Sequence, residues 1–120
     1  MQMLTENINN AFIVAEQLTF RQELQLISRL QLMLSMDSGN AHLAAIFGIK
    51  TVTLWGATHP AVGFAPFRQP IGNCLTADRT KFPFLPTSVY GKKKVEGYED
   101  AMRTITVESV VQKVDELLKQ

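Results

Sequence analysis

The sequence predicts an α/β fold, a parallel sheet with helices on its flanks. Three observations carry that expectation. Apolar runs of strand length alternate with runs of helical period. The changeovers fall at capping and turn residues: Thr19, Asp37-Ser38-Gly39, Gly48, Gly56 and Thr106. Within Ser35-Met36-Asp37-Ser38-Gly39-Asn40-Ala41-His42-Leu43-Ala44-Ala45, an apolar run stops at Asp-Ser-Gly and a helical run begins at once. That is the layout of an anion-binding strand–turn–helix, in which glycine permits close backbone approach and the helix start favours negative charge.

Ala11-Phe12-Ile13-Val14-Ala15 is short and apolar, suited to a buried parallel strand. Thr19 caps the next helix, whose Phe20, Leu24, Ile27 and Leu30 share one face, with Arg21, Gln22, Gln25 and Arg29 around the rest. Leu32 to Met36 is a second strand. Residues 41–47 form a second helix with Leu43, Ile46 and Phe47 as its apolar face, and Ala44 and Ala45 small enough for close approach to the sheet. Gly48 ends that helix, and residues 51–55 are a third strand closed by Gly56. Strand, helix, strand, helix, strand makes parallel βαβ units with right-handed crossovers.

Beyond Gly56 the pattern loosens. Residues 57–105 hold all five prolines and four of the seven glycines, which reads as long loops around one short strand near residues 71–75. Loops of that length in a small domain are commonly functional or poorly ordered. A clear period returns where Thr106 caps a helix carrying Val107, Val110, Val111, Val114, Leu117 and Leu118 as one stripe, which should pack on the sheet. Glu108 and Lys119 have the favourable sign for its two ends.

Composition narrows the class. A chain of 120 residues with 46% hydrophobic content makes one globular domain, burying roughly two thirds of its unfolded surface. A net charge of +1 gives no reason to expect nucleic acid as a partner. The single cysteine, Cys74, rules out an internal disulfide and suits a reducing compartment. Two histidines and one cysteine without paired spacing give no metal site, and no cofactor is expected. No apolar run reaches the roughly 18 residues of a membrane span, and the N-terminus lacks a signal-peptide pattern. The expected location is the cytoplasm.

The chemistry concentrates at the turn. Asp37 stands at a strand's carboxyl end, where open parallel sheets bind ligands, although Asp-Ser-Gly is also a common turn and capping composition. Thr58, in Gly56-Ala57-Thr58-His59-Pro60, follows the next strand end and serves equally well as a ligand contact or an N-cap. His59 reads as an exposed turn residue. Lys92-Lys93-Lys94 is a short basic run, read as a solvated loop or as an attractor of an anionic lipid surface or an acceptor phosphate. Trp55 and Phe82-Pro83-Phe84-Leu85-Pro86 read as packing residues, and Cys74 as a small apolar residue on a strand.

Three segments together resemble the heptosyltransferase family of glycosyltransferases. They are Asp37-Ser38-Gly39-Asn40-Ala41-His42-Leu43-Ala44-Ala45, Phe47-Gly48-Ile49-Lys50-Thr51-Val52 and Trp55-Gly56-Ala57-Thr58-His59-Pro60. The family's signature runs Asp-Ser/Thr-Gly, two residues, His-Leu-Ala-Ala, then Gly-x-Pro before a strand and a Gly-x-Thr-x-Pro loop. Residues 11–60 carry the resemblance, with Gln17 to Leu24 similar to the family's helix that precedes the motif; the rest, including the closing Thr104-Ile105-Thr106-Val107-Glu108, fits more loosely, and Lys50 stands where the family usually has proline.

The resemblance implies a partial Rossmann-like domain, the C-terminal half of a two-domain GT-B enzyme, spanning residues 1–120 as one truncated nucleotide-sugar donor-binding domain. It implies an ADP-heptose-type donor and a lipopolysaccharide-type acceptor held by a domain not present in this chain, without a catalytic metal. Asp37, Ser38, Gly39, Asn40, His42 and Thr58 would then form the donor site. Ser38 and the Gly39 and Asn40 amides would donate to the diphosphate, His42 would stabilise it as a leaving group, and Asp37 would accept from amides or a sugar hydroxyl. No catalytic base falls within the chain, so it is expected to be inactive alone, cytoplasmic or peripheral at the inner membrane. The missing strands would leave residues 12–15 as an open sheet edge inviting a second copy. Two other readings stay open, a sugar-nucleotide 2-epimerase-like fragment and a non-catalytic nucleotide-binding or interaction module.

Overall fold

A computed structural model describes residues 5–120. Its sheet has three parallel strands, β1 (Leu32–Met36), β2 (Lys50–Trp55) and β3 (Cys74–Thr76), in that spatial order. Leu32 pairs with Lys50 and Met36 with Leu54, while β3 meets only the end of β2, from Thr53 opposite Cys74 to Trp55 opposite Thr76. The expected α/β class and parallel sheet are therefore present, with one strand different. Residues 11–15 form no strand, and Phe12 is 85% exposed. Asn10 and Glu16, in the left-handed region at φ 76° and 63°, turn the chain at both ends of that run, so it joins no ladder. The edges of the described sheet are β1 and the shorter β3 instead.

Of the three helices among the described residues, two pack on the sheet and the first packs on the second. α1 (Phe20–Ile27) opens with a capping box, in which the Gln22 amide donates to Thr19 Oγ1 and the Thr19 amide donates to Gln22 Oε1 at 2.8 Å. α2 (Gly39–Ile46) starts two residues before the expected helix, with Ser38 at its N-cap. Its buried face is Ala41, Ala44 and Ala45, whereas Ile46 and Phe47 are exposed. The expected face of Leu43, Ile46 and Phe47 is thus corrected: α2 lies against β1 and β2 on methyl groups, and bulkier side chains turn outward. Gly48 at φ 75° closes the helix, its amide donating to Ala45 O and that of Ile49 to Ala44 O, both at 3.0 Å. These two bonds make a Schellman ending.

β2 is the buried centre. Val52 and Trp55 are fully buried, and Thr51 and Thr53 nearly so. Trp55 Nε1 donates to Thr53 Oγ1 at 2.8 Å, and that hydroxyl donates to Cys74 Sγ at 3.4 Å, so Cys74 is a sulfur acceptor as well as a packing group. Where β3 is too short to reach, Gln69 takes its place. Its Oε1 accepts from the Thr51 amide at 2.9 Å and its Nε2 donates to Ile49 O at 3.1 Å.

The proline-rich region packs on itself. It contains single 3₁₀ turns at Pro60–Val62, Ile71–Asn73 and Ala101–Thr104, so the strand expected near residues 71–75 divides into a turn and β3. Ala77, Leu85 and Ala101 form a second small core, against which Phe82 and Tyr98 pack edge to face at 5.0 Å. The middle and the end of the region are tied together where the Asp78 amide donates to Thr104 Oγ1 at 2.7 Å.

α3 (Val107–Leu118) is capped by Thr106, whose hydroxyl accepts from the Ser109 amide at 3.1 Å, and it packs on β1 and β2. The sheet covers only part of its predicted stripe. Leu117 is buried and Val110 and Val114 are half-buried, but Val107, Val111 and Leu118 are exposed. Lys50 Nζ donates to Leu117 O at 2.9 Å, placing a cation at the negative end of α3. That contact gives the lysine a role proline could not fill. Among the described residues no helix is long and apolar enough to cross a membrane.

Candidate functional site

The carboxyl ends of β1 and β2 open into a cleft of ≈ 360 Å³. Asp37 lines it from the end of β1, and Gly56, Ala57 and Thr58 from the end of β2. Met36, Leu54 and Met102 supply apolar surface, and Tyr90 and Gly91 close it from the proline-rich region. Parallel strands place their following loops side by side at one end of the sheet, which is why residues twenty apart in the chain share this cleft.

Asp37 is half-buried, and its amide donates to Leu54 O at 3.2 Å, continuing the ladder one residue past β1. Its carboxylate has no hydrogen bond or ion pair among the described residues. Ser38 sits in extended backbone (φ −157°, ψ 167°) as the N-cap of α2, with no side-chain capping bond. Its hydroxyl lies 2.8 Å from Ser35 Oγ, which itself donates to Met36 O at 2.9 Å. Ser35 has one proton and spends it on that carbonyl, so Ser38 is the donor between the two hydroxyls. A ligand oxygen at Ser38 would compete with Ser35 for that proton.

The backbone beside it is less committed. Ala41 N donates to Ser38 O at 3.2 Å, while the Gly39 and Asn40 amides have no acceptor among the described residues. Two free N–H groups therefore project from the positive end of α2, next to Asp37. His42 lies one helical turn beyond Gly39, half-buried, with no hydrogen-bond partner among the described residues. Of the six candidate residues, Asp37 and Thr58 line the cleft, and Ser38, Gly39, Asn40 and His42 lie along the turn and first helical turn beside it.

Thr58 is not the cap of the turn that follows. His59 is, its Nδ1 accepting from the Ala61 amide at 3.1 Å. That bond needs an unprotonated Nδ1, and partial burial together with the Arg79 charge lowers the His59 pKa below its ordinary value. Thr58 instead meets Gly91. A Cβ on Gly91 would stand 2.8 Å from Thr58 Cγ2 and 3.2 Å from Ala57 Cβ, and its φ of 66° lies in the left-handed region that favours glycine. The Thr87 amide donates to Ala57 O at 3.1 Å, fixing the same loop onto the end of β2. Tyr90 and Gly91 were not marked by the sequence. Their one local signal is an aromatic–glycine pair inside a loop, and only the fold shows what it touches.

Among the described residues no group of three or more His, Cys, Asp or Glu side chains is gathered to hold a metal ion.

Fold and site together define an α/β domain that presents a strand–turn–helix and a cleft at one end of a parallel sheet. The family model of Glycosyltransferase family 9 (heptosyltransferase) matches residues 1–93, and the chain belongs to that family. The match runs well past the motif-bearing residues 11–60 and takes in the loop carrying Tyr90 and Gly91. No curated protein and no solved structure matches the chain.

Proposed function

We propose that this chain is the donor-binding part of a sugar transferase and holds the diphosphate of a nucleoside diphosphate sugar at the Asp37–Asn40 turn. The observation that carries the reading is the pair of unbonded amides, Gly39 and Asn40, at the start of α2 beside the cleft. A phosphate there satisfies two orphan donors and meets the positive helix end. Charge-assisted bonds of this kind contribute about 1.5–3 kcal/mol each. Asp37, repelled by phosphate, takes sugar hydroxyls instead, and Thr58 adds a hydroxyl on the opposite wall. His42, one turn along, donates toward the departing diphosphate in this reading. Membership of the heptosyltransferase family favours ADP-heptose as the donor and a lipopolysaccharide-type glycan as the acceptor. Such a protein works in the cytoplasm, at or near the inner membrane.

The test is a titration of ADP, ADP-heptose and UDP-sugars into isotope-labelled protein, following the Gly39 and Asn40 amides by NMR. Saturable shifts with the ADP ligands are expected. Gly39→Pro supplies the control, because proline suits the first helical position and the extended Ser38 suits the residue before proline. It removes one donor and leaves the helix, so ADP affinity should fall roughly 10- to 100-fold. Unchanged affinity in Gly39→Pro would remove the turn from the site, and preference for UDP-sugars would replace the ADP donor with another class.

A further inference from the structure

The cleft does not end at Gly91. Ala57 and Gly91 also line an adjoining groove of ≈ 320 Å³, which shares Thr87, Lys93, Lys94 and Val95 with a third hollow of ≈ 470 Å³ reaching Phe84. The three adjoin one another through these shared residues, from Asp37 to the lysine run. The series is fixed in place by backbone. Gly91 seats the loop on Ala57 and Thr58, and Ser88 Oγ accepts from the amides of Lys92 at 3.1 Å and Lys93 at 3.4 Å.

Charge is distributed unevenly along it. Glu99 lines the middle stretch together with Lys93 and Lys94, and among the described residues no carboxylate lines the far hollow, where the two lysines stand with Phe84, whose ring stacks on Tyr98 at 6.3 Å and is otherwise exposed. Neither lysine forms an ion pair among the described residues, and Lys92 turns toward Tyr90, its Nζ 6.0 Å from the ring centroid. Two ammonium groups without an ion pair, next to the solvent-exposed side of a ring that Tyr98 backs, favour an anion that also carries a sugar ring. In the middle stretch Glu99 shares the lining with the same two lysines, so the far hollow, which has the lysines without it, is the more cationic end.

We infer that the Lys93–Lys94 end of the groove is a second anion subsite that takes a phosphorylated sugar. Assigning that sugar to the acceptor rests on the transferase reading above; the subsite itself does not.

The experiment titrates glucose 6-phosphate, glucose, inorganic phosphate and ADP separately into the full isotope-labelled chain, and into Lys93→Gln/Lys94→Gln. Glucose 6-phosphate should give saturable shifts at the Thr87, Lys93, Lys94 and Val95 amides, and glucose none. The double substitution should weaken that binding at least about tenfold and leave ADP shifts at Gly39 and Asn40 unchanged. Both lysines are exposed, so the variant keeps the fold, which its own spectrum reports. Absence of saturable shifts, shifts unaltered by the double substitution, or equal affinity for inorganic phosphate would overturn the proposal. Displacement of glucose 6-phosphate by ADP would do so too, by making the groove an extension of the diphosphate site. Failure of ADP to bind at Gly39, with glucose 6-phosphate still held at Lys93, would sink the donor reading and support the subsite.

Discussion

Single residues in β2 show how closely the sheet's polar atoms are accounted for, and where one is not. Thr53 passes a hydrogen bond from Trp55 on to Cys74, so its hydroxyl is used twice. Thr51, equally buried, has an Oγ1 with no partner. A buried hydroxyl left unbonded costs about 1–3 kcal/mol, and valine has the same shape with a methyl in its place and a high strand preference. Thr51→Val should therefore stabilise the protein by about 1 kcal/mol, seen as a raised midpoint in urea at unchanged slope. A lowered midpoint would mean that the hydroxyl has a partner in solution. The same scale separates Ser38 from its neighbours at the turn. Its proton is held by Ser35, whereas the Gly39 and Asn40 amides are free, so backbone rather than hydroxyl is the stronger anion contact there.

At the scale of elements, what the sequence made legible were the pieces with local signals. α1 and α3 begin where Thr19 and Thr106 cap them, β1 has the expected bounds, and Gly48 ends α2. The turn from Asp37 to Asn40 was legible for the same reason, since strand end, glycine and helix start are adjacent in the chain. Elements set by distant partners were not. Residues 11–15 have a strand's composition but no ladder to join, and β3 is a strand only because β2 offers it an edge. Tyr90 and Gly91 reach the cleft through contacts thirty residues away, which no spacing encodes. Gln69 is the sharpest case, a loop side chain acting as a missing length of strand. Truncating it leaves the Thr51 amide and the Ile49 carbonyl without their partner. Gln69→Ala should cost about 2 kcal/mol and speed hydrogen exchange at the Thr51 amide above that of its neighbours in β2. Protection at Thr51 equal to that of Val52 in the variant would show that β2 does not depend on it.

The whole molecule covers its apolar surface incompletely. Its radius of gyration is 15.4 Å, against about 13.6 Å for a compact domain of this length. Leu34 and Met36 on β1 are 46% and 50% exposed, and Val107, Val111 and Leu118 on α3, which packs against β1, are also open. β1 is the longer of the sheet's two edge strands, five residues against three in β3, and Leu32-Met33-Leu34-Ser35-Met36 has neither a charge nor a proline to discourage pairing. An edge of this kind buries its backbone groups and its exposed side chains together by pairing with the same strand of a second copy. This chain is therefore expected to self-associate through β1, the longer edge, rather than through residues 12–15. Light scattering across a concentration series should show a mass rising above the monomer's 13.4 kDa. Leu34→Lys should hold the chain at the monomer mass, because a lysine pair facing across two joined edges adds repulsion where apolar contact was gained. Leu34 is already half open to solvent, so the fold tolerates the change and circular dichroism should be unaltered. A constant monomer mass for the unsubstituted chain at every concentration would show that β1 is protected in solution. Association that persists in Leu34→Lys would move the contact to the outer face of α3, where Val107→Lys is the matching test.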